Sequence, residues 1–163
     1  MNYFGLLFLL TCILFGLACP LNRNLPDEMV GRWQNGNVSM LQEKNTTTGQ
    51  VTAGNGSTFS YRFFGDGRFE FVGYMKSTMS GCTTELFNDK RGRVEIDGSR
   101  LTLVPSKNLW RNTYGCSPDS NKEKDQPLDP ETFAWRTMKN EYGQQMICLA
   151  NDNGETCYRK EEN

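Results

Sequence analysis

The stretch from Thr58 to Tyr74 alternates so regularly that it restricts the fold sharply. Phe59, Tyr61 and Phe63 fall on one face of an extended chain, with Ser60 and Arg62 on the other. Gly65-Asp66-Gly67 interrupts the run, and Arg68 to Tyr74 resumes it with Phe69 and Phe71 opposite Arg68 and Glu70. A helix would need its apolar residues at a spacing near 3.6, and this spacing is two. Alternation broken by a glycine-rich turn is the signature of an antiparallel hairpin whose aromatic face is buried.

The same pattern recurs along the chain. Cys82 to Asn88 reads as a short strand. Arg93 to Ile96, the Asp97-Gly98 turn and Arg100 to Val104 read as a second hairpin. Pro105 is expected to end that run, because proline cannot donate to a central ladder. Leu109 to Tyr114 reads as a weaker strand. Phe133 to Met138 and Gln145 to Ala150 flank a turn at Glu141-Tyr142-Gly143, and Asn151 to Gly154 turns into Glu155 to Arg159. Glu43 to Ser57 and Ser117 to Pro130 read as loops, the second long enough to be functional or mobile. No segment holds a helical period over three turns. The expectation is an all-β fold, a small up-and-down antiparallel β-barrel of eight to ten strands. A sandwich is the alternative, and closure is preferred because it removes exposed edges.

The amino terminus points out of the cytoplasm. Phe4 to Ala18 is apolar, and the small residues Gly16 and Ala18 precede Cys19 as a cleavage site requires. The run is short for a membrane span. The resulting division is a signal peptide at 1–18, a tether at 19–28 and a barrel domain at 29–163. Cys19 at the mature end is also where a bacterial lipoprotein carries its lipid, which would attach the chain to a membrane. Gly16 stands where a lipobox usually has Leu, so lipid anchoring and plain secretion both stay open. Three sequons, at Asn37, Asn45 and Asn55, are glycan acceptors in a eukaryotic secretory pathway and only polar loop in a bacterium.

Setting Cys19 aside leaves Cys82, Cys116, Cys148 and Cys157, with Cys12 in the leader. Four thiols allow three pairings. Cys148 and Cys157 flank the Asn151–Gly154 turn. A loop centred on Asp152 and Asn153 would set them directly opposite, within disulfide reach, while a three-residue loop would offset them by one. Cys82 and Cys116 then pair by elimination. Without Cys-x-x-Cys spacing, no metal site or redox pair is expected.

Chemistry is constrained by what is missing. Histidine is absent, which removes the commonest general base and metal ligand. There is no Gly-x-Ser-x-Gly elbow and no phosphate loop. Glu70, Glu85, Glu95 and Glu155 sit on strands, where alternation points them outward and away from any shared cleft. The chain is therefore not expected to be an enzyme or to need a cofactor. Lys plus Arg (18) nearly balances Asp plus Glu (19), so nucleic acid is not an expected partner.

Gly31-Arg32-Trp33 opens the first strand after a short turn at Pro26 to Met29. This resembles the Gly-x-Trp entry of the lipocalins. The resemblance implies an eight-stranded barrel with Trp33 at its closed end and a basic residue of the last strand, Arg159 or Lys160, packed over it. The family's helix after the barrel has no counterpart before Asn163, so the match is to a lipocalin-like domain. In such a barrel Phe59, Tyr61, Phe63, Phe69, Phe71, Leu101, Leu103, Phe133 and Trp135 are expected to face inward. They either line a cavity for a small apolar ligand or fill the barrel completely. The second possibility fits a protein-interaction module, such as an inhibitor of a secreted enzyme, with its protein partner unspecified. Trp110, Tyr114 and the 117–130 loop read as a partner-binding rim or, more simply, as an edge strand with solvated loop.

Overall fold

The computed structural model describes residues 25–38, 43–44, 51–52 and 55–162. The leader, Cys19 and most of the tether lie outside the described residues. The strands are β1 (Gly31–Val38), β2 (Glu43–Lys44), β3 (Val51–Thr52), β4 (Gly56–Phe63), β5 (Arg68–Met79), β6 (Cys82–Asp97), β7 (Arg100–Tyr114), β8 (Lys122–Asp125), β9 (Glu131–Lys139), β10 (Gln145–Asn151) and β11 (Gly154–Lys160). A 3₁₀ turn, Pro118–Ser120, precedes β8.

Eight strands close an antiparallel barrel in the order β1-β4-β5-β6-β7-β9-β10-β11, with β11 returning to β1. Apart from β8 this is chain order, so the topology is up-and-down as the successive hairpins predict. β8 adds to the outer edge of β7, and β2 and β3 form a separate two-stranded ribbon.

The barrel closes at the end where β1 begins. A single turn, with Met29 N–H donating to Pro26 O at 2.9 Å, folds Leu25 and Met29 beneath the strands, and both are buried. Packing therefore starts inside the stretch read as tether. Trp33 is buried above this turn and its indole Nε1 donates to Met29 O at 2.7 Å. The basic side chain over its ring is that of Lys160, with Nζ 5.2 Å from the centroid, within cation–π range. Lys160 pairs with Trp33 across the strands, whereas Arg159 pairs with Gln34 and is exposed. One position along a strand changes the face.

Pro105 does not end its strand. β7 runs through it because the register shifts between Arg91 and Gly92, placing Gly92 opposite Pro105. On the other edge of β7, β9 pairs only to Leu103 and β8 only from Leu109. Pro105 lies in the interval between them, where, among the described residues, no strand pairs with that edge of β7 and a missing N–H is tolerated. The close approach demands glycine at 92, since a Cβ there would stand 2.1 Å from Val104 O and 2.7 Å from Pro105 Cα.

The segments Cys82–Asn88 and Arg93–Ile96 are parts of one 16-residue strand, β6. With β5 and β7 it forms a sheet that continues past the pairing of the other strands, joined by β8 from within the predicted 117–130 loop. Cys82 and Cys116 are bonded at the far end of this extension, with Cα atoms 5.4 Å apart. Cys148 and Cys157 are bonded directly across β10 and β11, the register set by the turn at Asp152 and Asn153.

Candidate functional site

Register carries the inward face from strand to strand. Three rows run across β1, β4, β5, β6 and β7: Gly31–Phe63–Phe69–Gly92–Pro105, then Trp33–Tyr61–Phe71–Lys90–Asn108, then Asn35–Phe59–Gly73–Asn88–Trp110. Directly opposed residues share a face. The interior is thus aromatic near the closed end and turns polar where the later rows reach β6 and β7.

The predicted apolar residues pack against one another. Phe63, Phe69, Leu101 and Leu103 are at most 1 % exposed, and Tyr61 is buried with them. The Tyr61 ring lies 4.7 Å from Phe71, 5.5 Å from Phe63 and 5.1 Å from Tyr158. Phe59 stacks 6.5 Å from Phe71. Phe133 and Trp135 pack partly buried against the same cluster, and Trp135 Nε1 reaches Gly98 O at 3.2 Å. Of the two expectations, these contacts describe a filled barrel at this level. Offset and edge-on ring contacts of this kind add stability beyond the area they bury.

Open space lies above this packing. A cleft of about 470 Å³ is bounded by Leu86, Asn88 and Lys90 of β6, Asn108 and Trp110 of β7, and Gln126, Pro127, Asp129 and Glu131 on the approach to β9. At its base Lys90 and Glu131 form an ion pair across the interior. The Lys90 side chain is 11 % exposed and Glu131 38 %, so one partner is nearly dry and the other wet. Lys90 Nζ also lies 5.8 Å from the Phe71 ring centroid. The Glu131 carboxylate acts on the packing below: the Tyr61 hydroxyl is held well above its ordinary pKa, first by burial, then by Tyr158 and by Glu131.

The walls are fixed by hydrogen bonds. Asn88 Nδ2 donates to Asn108 Oδ1 at 3.1 Å and to Leu109 O at 2.8 Å. Asn108 holds the facing segment through Nδ2 to Pro127 O, 2.9 Å, and by accepting from Gln126 N at 2.7 Å. Trp110 carries Lys124 Nζ 5.4 Å from its ring. Two residues further along the same face, Asn112 Nδ2 donates to the Tyr114 hydroxyl at 2.6 Å, while its buried Oδ1 has no donor among the described residues.

Other concentrations of polar groups are less suited to a ligand. A larger open groove, about 820 Å³, runs over the outer wall beside Gln34, Gln144, Arg159 and Glu161, without an aromatic surface. Cys148, Glu155 and Cys157 lie together, yet both sulfurs are committed to the disulfide and Arg136 holds Glu155 at 2.8 and 3.0 Å. Asp89 is buried on the outer face between Arg91 and Lys107, at 2.9 and 2.7 Å, an arrangement that ties β6 to β7.

Sequence reasoning singled out the core rather than the cleft. Trp110, read from the sequence as part of a rim or of a plain edge strand, lies on β7 and borders the cleft. Asn88, Lys90, Asn108 and Glu131 were missed, because a run such as Asn88-Asp89-Lys90-Arg91 looks solvated until register shows which members turn inward. No family model, curated protein or solved structure matches this chain.

Proposed function

We propose that this chain is an exported, lipocalin-like barrel that binds a small molecule at its open end. The observation that carries the reading is a mixed polar and aromatic cleft set directly over a packed floor. Binding sites are typically concave, with a few fixed polar groups beside apolar surface. Export is supported by the apolar leader before Cys19 and by two disulfides, which persist in oxidising compartments. The lipocalin-like reading is supported by Trp33 at the closed end under Lys160. The ligand is placed against Trp110 and Leu86 rather than among Phe59, Tyr61 and Phe71, which already occupy one another.

A second reading is favoured by the sheet extension, whose tip carries Met79 at 76 % exposure beside Cys82. An exposed apolar tip on a stapled sheet suits contact with a protein, such as a secreted enzyme to be inhibited. Native mass spectrometry of protein recovered from its own source separates the two. A co-purifying small molecule, lost on Trp110→Leu substitution, supports the carrier. A bare barrel that instead recovers a protein partner through its tip contradicts it. The same spectrum reads the mass at Cys19, with or without lipid.

A further inference from the structure

We infer that the cleft at the open end takes a neutral polyhydroxylated ligand, a saccharide, laid against Trp110. This inference rests on the open end being the binding site.

An apolar molecule would cover the Asn88 Oδ1, Gln126, Asp129 and the Lys90–Glu131 pair without offering them partners. Each polar group so buried costs on the order of 1–3 kcal/mol, more for a charge. A small anion would meet Asp129 and Glu131 together. A small cation would meet Lys90 inside the cleft and Lys124 at Trp110. Lys90 and Glu131 already neutralise each other, so neither sign is invited.

A saccharide satisfies the same groups. Carboxamides present a donor beside an acceptor and carboxylates present two acceptors, and both match neighbouring hydroxyls on a sugar ring. Asn88 Nδ2 is spent on Asn108 and Leu109, which leaves its Oδ1 as acceptor. Lys90 has three N–H donors, and Glu131 takes one. The apolar C–H face of a sugar ring carries slight positive charge and suits the negative face of an indole. Among the described residues the cleft is open to solvent, which suits the end of a longer glycan as well as a free disaccharide.

The test is ligand-observed saturation-transfer NMR on the full mature chain. The probes are four neutral disaccharides (maltose, cellobiose, lactose and diacetylchitobiose) beside laurate, tryptamine and indole-3-acetate. At least one disaccharide is expected to receive saturation, strongest on its ring C–H protons. Trp110→Leu is expected to abolish the signal. Asp129→Ala, on an exposed loop where folding is not at stake, is expected to weaken affinity at least fivefold. If laurate, tryptamine or indole-3-acetate binds in a Trp110-dependent way and no sugar does, the saccharide assignment falls while the open-end site stands. If a probe binds but neither substitution affects it, the open-end site falls as well, and silence from every probe also overturns the assignment.

Discussion

The Lys90–Glu131 pair is the sharpest point at which this structure commits to a magnitude. Exposed ion pairs contribute about 0.2–1 kcal/mol, while removing one partner of a fully buried pair costs about 3–5 kcal/mol. This pair lies between, and its two ends differ: Lys90 is 11 % exposed and Glu131 38 %. Lys90→Met keeps the buried stem and leaves a carboxylate that water can reach, so its cost is set near 1 kcal/mol, including the lost contact with Phe71. Glu131→Gln leaves an ammonium almost without water facing a neutral acceptor, and its cost is set at about 2–3 kcal/mol. The double variant removes both charges and is expected to recover about 1–2 kcal/mol of the summed losses. Equilibrium urea unfolding of the four proteins at neutral pH measures each value. Additivity within about 0.3 kcal/mol, or Lys90→Met costing more than Glu131→Gln, would refute a coupled pair whose lysine end alone is dry.

Three further outcomes follow from the geometry. Gly92→Ala forces a Cβ against Val104 O and Pro105 Cα and is expected to cost about 3 kcal/mol by thermal unfolding, while Gly65→Ala, with nothing within 4 Å, stays within about 0.5 kcal/mol. Cys82 and Cys116 are exposed whereas Cys148 is fully buried, so graded dithiothreitol should open Cys82–Cys116 first by alkylation mapping. Loss of that link, with a sequence separation of 34, costs about 3.8 kcal/mol in the chain-entropy model. Burial works to raise the Asp89 pKa, but bonds from Arg91 and Lys107 outweigh it and hold the carboxyl below its ordinary 3.8. A depressed folded pKa contributes stability present above the unfolded value and lost as pH falls through the folded one. Acid unfolding profiles below about pH 4 should therefore flatten in Asp89→Asn, and an unchanged slope there would contradict the assignment.

Much of the fold was legible because it is local. Phe59, Tyr61 and Phe63 declare a strand and Gly65-Asp66-Gly67 its turn without reference to any partner. The Cys148–Cys157 pairing was legible for the same reason, since the turn at Asp152 and Asn153 fixes register over a few residues. What failed was long-range. Pro105 continues its strand because β8 and β9 both stop short of it, a fact about three other segments. Lys160 rather than Arg159 covers Trp33 because β11 meets β1 at that offset, and no local pattern sets the offset. The cleft was hidden for a related reason: alternation within β6 separates Asn88 and Lys90 from Asp89 and Arg91, but only pairing with Gly73 and Phe71 shows which pair faces inward. Glu131, directly after Pro130, reads as the end of a loop until β9 is seen to begin there.

The three tryptophans sample three levels of the barrel: Trp33 at the closed end, Trp135 at the Gly98 turn and Trp110 at the open end. Their indole N–H resonances in a ¹H–¹⁵N spectrum, assigned by single Phe substitutions, report binding at each level separately. With the small molecule recovered alongside the protein, or with the disaccharide that binds, the Trp110 resonance is predicted to shift while those of Trp33 and Trp135 hold still. A shift at Trp33 or Trp135 with Trp110 unmoved would place the ligand in the barrel's interior or on its wall, and would contradict a packed floor beneath an open binding cleft.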